Sequence, residues 1–253
     1  MRVTAIIPAR YGSTRFPGKP LALINGLPMI QHVYQRVSRA KMVNRVIVAT
    51  DDARIVTVVA GFGGEVVLTS ADHPTGTDRL AEVAEKIDSE LIVNVQGDEP
   101  LIDPQMIDQA IAPLIKNWQI QMGTLASQID QIDDFHNPNV VKVVKDQSGF
   151  ALYFSRAPIP WPRDLNFDQL AEALPRLGLL RHIGLYVYRR ELLLDYPSWP
   201  KTPLENLENL EQLRALERGI RLYVAETAFS CHGVDTFADL ERVSHLMSAE
   251  KIN

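Results

Sequence analysis

Apolar residues come in short, nearly unbroken runs at 3–7, 46–49, 66–68 and 91–95. Runs of that length without polar alternation mark strands covered on both faces. Between them, at 29–39, 52–61 and 78–86, apolar positions recur every three or four residues, the period of a helix with one buried side. Strand and helix alternate, which predicts a parallel sheet joined by right-handed crossovers. From about residue 140 the rhythm changes. Segments 140–145 and 150–154, joined through Asp146-Gln147-Ser148-Gly149, predict a hairpin. Ala157-Pro158-Ile159-Pro160-Trp161-Pro162 and the polar stretch to about 177 predict a loop-rich insertion. A strand at 182–188, a helix at 203–218, a strand at 221–225 and a helix at 236–248 complete the pattern. The expectation is one α/β domain over 1–253, with an inserted lobe at about 140–190.

Bulk properties narrow the function classes. A chain of 253 residues suits one large domain that buries roughly 70–75% of its unfolded surface. A formal charge of −5 argues against nucleic-acid binding, which needs a net basic face. Cys231 is alone, so neither an internal disulfide nor a cysteine-rich metal site is expected. The pattern holds no run of membrane-spanning length and no cleavable leader, so the expectation is a soluble cytoplasmic protein without membrane insertion.

The first strand runs into Arg10-Tyr11-Gly12-Ser13-Thr14-Arg15-Phe16-Pro17-Gly18-Lys19-Pro20, three cations spaced by glycines. Cations with turn-forming glycines at the carboxyl end of a strand suit a polyphosphate. The loop is not a Walker A motif: five residues separate Gly12 from Gly18, and Pro20 stands where a magnesium-binding hydroxyl belongs. The dinucleotide fingerprint is absent as well. Gln96-Gly97-Asp98-Glu99-Pro100 follows the fourth strand, so a carboxylate shares the strand-end edge with the basic loop. Mg²⁺ binds through one or two carboxylates plus substrate phosphates, which makes Asp98 the first candidate ligand. Asp235, just before the last helix, is the second. On its own it reads as a helix cap; beside Asp98 it reads as a ligand. Asp72-His73-Pro74-Thr75-Gly76-Thr77-Asp78-Arg79 is either a base-reading turn or a helix start capped by Thr77. On a continuous 203–218 helix, Leu204, Leu207, Leu210 and Leu213 share a face, Glu205, Glu208 and Gln212 lie nearly opposite, and Glu211 falls at the border. A solvated face suits Glu205, while Glu211 and Gln212 read as a polar pair at the core edge, suited to gripping substrate hydroxyls. His182 and Tyr186 lie on one face of their strand.

Together these segments resemble the 3-deoxy-manno-octulosonate (Kdo) cytidylyltransferases, the CMP-Kdo synthetases. The resemblance rests on the basic loop, Gly76-Thr77-Asp78-Arg79, Asn94-Val95-Gln96-Gly97-Asp98-Glu99-Pro100, Ala151-Leu152-Tyr153-Phe154-Ser155-Arg156, Arg181-His182-Ile183-Gly184-Leu185-Tyr186, Leu210-Glu211-Gln212-Leu213-Arg214 and Gly233-Val234-Asp235-Thr236. It implies a Rossmann-like nucleotidyltransferase fold: a mostly parallel central sheet, flanking helices and an inserted hairpin and loop lobe. It implies transfer of CMP from CTP to the anomeric hydroxyl of Kdo, with release of pyrophosphate, for lipopolysaccharide assembly. Arg10, Arg15 and Lys19 would hold the triphosphate, with Asp98 and Asp235 carrying Mg²⁺. Ala9, Gly76, Arg79 and Gln96 would surround cytosine and ribose. Arg156, His182, Tyr186, Glu211 and Gln212 would receive the sugar, Arg156 taking its carboxylate. A homodimer, with the inserted lobe at the interface, is implied too. The competing readings are a sialic acid cytidylyltransferase, a nucleotide-sugar glycosyltransferase, and a non-catalytic nucleotide-binding regulator. The second is disfavoured because Asp98 opens no Asp-x-Asp, the third because both carboxylates are present.

Overall fold

The computed structural model describes residues 1–12, 16–231 and 233–250. In chain order the elements are β1 Val3–Ala9, β2 Leu23–Ile24, β3 Leu27–Pro28, α1 Met29–Val37, β4 Arg45–Thr50, α2 Ala53–Gly61, β5 Val66–Leu68, α3 Gly76–Glu85, β6 Leu91–Asn94 and α4 Pro104–Lys116. Then follow β7 Met122–Gln128, α5 Ile132–His136, β8 Lys142–Lys145, β9 Ala151–Ser155, α6 Phe167–Leu177, β10 Leu180–Arg189, α7 Arg190–Asp195, α8 Pro203–Glu208, α9 Gln212–Glu217, β11 Leu222–Thr227 and α10 Phe237–Glu250. Contacts gather these into two units. The first holds Met1–Asp108, Val187–Pro197 and Cys231–Asn253; the second holds Gln109–Tyr186 and Ser198–Ser230, a wider span than the lobe expected at 140–190.

In the first unit, β1 lies between β4 and β6 with β5 beyond β4, every pair parallel. Ala5, Ile6 and Ile7 are fully buried, as are Ile47, Val48 and Ala49, because helices cover both faces of a parallel sheet. The three early helices form where the periodicity predicts them. Asp52 caps α2 by accepting from the Arg54 amide. For α3 the cap is Thr75, in a reciprocal box with Asp78, and not Thr77, which is buried inside the helix. The side chain three residues ahead of the box partner decides this, and that is Thr75.

In the second unit, β11 pairs parallel with β7, while β8 pairs antiparallel with both β9 and β10. The predicted hairpin is present as β8 and β9. Three other expectations need correction. The stretch to 177 is not all loop: α6 forms, boxed by Asn166 with Gln169 and ended by Gly178 at φ 61°. The predicted helix at 203–218 is two helices, broken at Asn209, whose φ of 51° is left-handed, a conformation asparagine tolerates. The break also resets the helical ruler. Leu207 is 82% exposed, and Glu205 is buried instead of solvated. Finally, α4 and β7 fill a region where the pattern predicted nothing. Among the described residues, no helix is long and apolar enough to cross a membrane.

Candidate active site

The carboxyl ends of β1 and β6 meet around Pro8. A Cβ on Gly97 would lie 2.8 Å from the Pro8 carbonyl oxygen, closer than real Cβ contacts, so only glycine fits where these two ends converge. Gly76 opens α3 beside the Pro8 ring, and Ala9, 2% exposed, ends β1. The Arg10 Nη2 donates to the His73 carbonyl at 2.7 Å, tying the basic loop to the segment before α3. Arg15 lies outside the described residues.

The loop's far end is held by stacking and by an αL glycine. The Gly18 amide, at φ 72°, donates to the Tyr11 carbonyl at 2.9 Å. The Tyr11 ring packs against Gly18 and carries the Arg54 guanidinium 3.3 Å above its centre, a cation–π contact. An apolar cluster of Phe16, Ile24, Met29, Leu101, Val234, Val243 and Met247 then anchors together the loop, the segment after Asp98, the segment leading into α10 and the buried side of that helix.

On this frame the Lys19 ammonium stands between the two candidate metal ligands. Its Nζ is 2.6 Å from Asp98 Oδ2 and 3.2 Å from Asp235 Oδ1. Burial lowers the lysine pKa, but Asp98 first and Asp235 second more than offset this, leaving it above the ordinary value. Asp235 reaches this position because it is not the cap of α10. Thr236 takes that role: its hydroxyl accepts from the Asp239 amide at 3.2 Å, while Asp239 accepts from the Thr236 amide at 3.0 Å. The Val234 amide donates to the Asp98 carbonyl at 2.9 Å, joining the two carboxylate-bearing segments through their backbones.

Arg79 has no exposed side-chain surface. It donates to the Thr69 hydroxyl and lies 3.2 Å from Asp51 Oδ2. Burial pulls its pKa down, with Asp51 opposing. Its Nε is buried without a partner among the described residues. Asp51 is a contributor the sequence reasoning missed. Its signal is a carboxylate one residue beyond β4, at the edge where the other candidates gather. Gln96 is half-buried, 3.5 Å from Asn94 Oδ1.

The sugar-side candidates all lie in the second unit. Arg156 is turned to the backbone: Nε donates to Glu208 O at 2.7 Å, Nη1 to Pro138 O at 2.9 Å and Nη2 to Asn209 O at 3.4 Å. It thereby satisfies carbonyls at the end of α8, where cations are favoured. Glu208, which sequence reasoning missed, accepts from Ser155 Oγ at 2.6 Å and from the Arg156 amide at 2.9 Å. No periodicity marks it, since it ends a six-residue helix.

His182 sits between rings, with centroids 5.0 Å from Phe154 and 5.4 Å from Tyr186, and its Nε2 is 2.9 Å from Thr124 Oγ1. Although an edge of the residue stays accessible, burial of the imidazole lowers its pKa to about 3. The unfolded chain therefore takes up a proton near pH 6.5 that the folded chain refuses, and folding loses stability as pH falls from there towards 3. Urea unfolding at pH 7, 6 and 5 is expected to show a loss of stability in wild type that His182→Asn lacks. Equal slopes for the two proteins would contradict a neutral His182.

Glu211 precedes α9, 3.8 Å from Arg214 Nη2. Gln212 is 4% exposed, and its Nε2 is buried without a hydrogen-bond partner among the described residues. An orphaned buried donor costs about 1–3 kcal/mol. A ligand oxygen would relieve that cost, so Gln212 is well suited to bind.

Comparison with known proteins identifies the family. The cytidylyltransferase family model covers residues 4–222. The 3-deoxy-manno-octulosonate cytidylyltransferase of Geobacter sulfurreducens is 60% identical over 96% of this chain and 98% of its own, and that of Syntrophotalea carbinolica is 60% identical over 97% and 99%. A solved structure of CMP:2-keto-3-deoxy-manno-octonic acid synthetase complexed with CTP superposes with a TM-score of 0.92 at 43% identity, over 99% of this chain and all of that one. The mostly parallel α/β architecture expected from the sequence is therefore the nucleotidyltransferase fold, and the chain belongs to the 3-deoxy-manno-octulosonate cytidylyltransferases.

Proposed function

We propose that this chain transfers CMP from CTP to the anomeric hydroxyl of Kdo, releasing pyrophosphate and supplying the activated sugar for lipopolysaccharide assembly. The observation that carries the reading is the meeting of Lys19 with Asp98 and Asp235 within 3.2 Å, in the loop that also holds Arg10. Transfer at the α-phosphorus needs alignment and charge neutralisation more than covalent help from the protein. Arg10, Arg15 and Lys19 would bind the triphosphate oxygens and offset the charge that builds on the departing pyrophosphate. Ala9, Gly76, Arg79 and Gln96 would hold the nucleoside. His182, Tyr186, Glu211 and Gln212 would orient the sugar, Arg156 would meet its carboxylate, and Glu208, which binds the Arg156 amide, would hold Arg156 in place.

Two carboxylates from separate segments that already share one cationic group form a donor set suited to Mg²⁺, which completes its shell with water and phosphate. Asp98 and Asp235 would hold it, and when bound it would neutralise phosphate charge and acidify the attacking hydroxyl. The protein would work as a homodimer in the cytoplasm.

The test is pyrophosphate release from CTP with Mg²⁺ across a panel of acid sugars that includes Kdo and sialic acid. Release that depends on Kdo is expected. Release with sialic acid alone would reassign the substrate, and CTP binding without turnover on any sugar would favour a regulator.

A further inference from the structure

Thr124, in the middle of β7 and 1% exposed, has one hydroxyl hydrogen and three neighbours. Its oxygen lies 2.8 Å from the Leu185 carbonyl oxygen, 3.2 Å from the Ile183 carbonyl oxygen and 2.9 Å from His182 Nε2. The two carbonyl oxygens can only accept, and the shortest of the three contacts is the one to Leu185, so the single hydrogen is assigned to that carbonyl. The hydroxyl then offers Nε2 nothing but lone pairs. A bare Nε2 would oppose lone pair to lone pair at hydrogen-bond distance; a protonated Nε2 makes a hydrogen bond there. With Nε2 carrying the hydrogen, a neutral ring leaves Nδ1 as a bare acceptor, and burial keeps the ring from taking a second proton near neutral pH. The ring forms no other hydrogen bond among the described residues, so Nδ1 keeps its lone pair available.

We propose that Thr124 is a positioning residue that fixes the Nε2–H tautomer of His182, so that Nδ1 meets the sugar as an acceptor and selects a hydroxyl, not a carboxylate. This deepens the proposed function and rests on its placing of His182 at the sugar. A carboxylate oxygen brings no hydrogen to Nδ1, so the acid group must be met elsewhere. Arg156, the group assigned to the carboxylate above, is a donor of the right kind, and so is the Nε2 of Gln212, buried without a partner among the described residues. The inference also gives a role to a threonine whose hydroxyl would otherwise be an unneeded polar group in a strand packed between neighbours.

The test has a spectroscopic arm and a kinetic arm. Long-range ¹⁵N–¹H correlation spectra of the full chain, labelled at histidine, read the tautomer without any substrate. His182 is expected to show a protonated Nε2 and a bare Nδ1. Thr124→Val keeps the shape and removes the acceptor. It is expected to shift His182 towards the Nδ1–H form and to raise KM for Kdo roughly five- to tenfold, the loss of about one hydrogen bond, with KM for CTP unchanged. Thr124→Ser should keep both wild-type values. An Nδ1–H ring in wild type overturns the proposal, as does a Val variant with wild-type tautomer and KM for Kdo. If the Val variant does not fold, the wild-type spectrum and the Ser variant still decide. Lack of turnover on Kdo by the wild type sinks the functional reading and the sugar half of this one, whereas the spectrum alone judges the role of Thr124.

Discussion

Asp98→Asn is expected to lower Kdo-dependent pyrophosphate release by about a thousandfold, the scale on which removing one well-placed electrostatic group acts in a closed site. Asparagine keeps the shape of the side chain and can still accept from Lys19, so what is lost is the negative charge. Without it the pair of carboxylates suited to a divalent cation becomes a single carboxylate, and among the described residues Lys19 keeps Asp235 as its ionic partner. Stability should hardly change, because the Asp98 side chain is 35% exposed and ion pairs open to solvent contribute about 0–1 kcal/mol. The measurements are turnover at saturating Mg²⁺ and a thermal melt of the same preparation. Near wild-type turnover would remove Asp98 from the metal assignment. Lost turnover together with a greatly lowered melting temperature would make the residue structural instead.

Arg214→Met is expected to produce the largest loss of stability. Arg214 Nε and Nη2 meet Glu205 Oε2 at 2.8 Å and Oε1 at 2.6 Å, a bidentate pair whose side chains are 4% and 6% exposed. Removing the guanidinium strands a buried carboxylate, which costs about 3–5 kcal/mol. For a chain of this size that corresponds to a melting temperature lower by roughly 10 °C. The double variant Glu205→Leu with Arg214→Met should recover most of the loss, since a buried pair replaced as a unit by apolar groups is often neutral. Calorimetry on the single and double variants beside wild type separates these outcomes. A loss below about 1 kcal/mol in the single variant would show the pair to be screened by solvent after all.

The same ion pair shows where sequence reading reached its limit. Glu205 looked solvated because its angle was counted along one continuous helix, and the left-handed Asn209 breaks that count. A helix start announces itself by its cap, but an interior break at an asparagine has no periodic signature. The parallel strands β1, β4 and β6 were legible because burial on both faces leaves unbroken apolar runs, and β5, at the sheet edge, shows the same run although Leu68 is 59% exposed. Strand β7, Met122-Gly123-Thr124-Leu125-Ala126-Ser127-Gln128, is as deeply buried over its first six residues yet reads as mixed, since threonine, serine and glycine serve its packing and hydrogen bonds. Helix α6 was hidden because its apolar positions sit in a polar stretch with Pro175 inside it. The site divides similarly. The charged residues of the basic loop and Asp98 stood out as unusual side chains at strand ends. Asp51, Glu208 and Thr124 are ordinary residues whose roles arise only from what the fold brings near them.

The apolar cluster beneath the basic loop has a consequence for how the enzyme tolerates change. Phe16 and Val234 share that cluster with Val243 and Met247 on the buried side of α10. One residue beyond Val234 stands Asp235, and three beyond Phe16 stands Lys19. The last helix thus works as a keel for catalysis: trimming its buried methyl groups shifts the footing of a carboxylate and an ammonium at once. Variants that impair turnover should therefore be sought on a helix face that never meets substrate, and a screen confined to polar positions would pass over them.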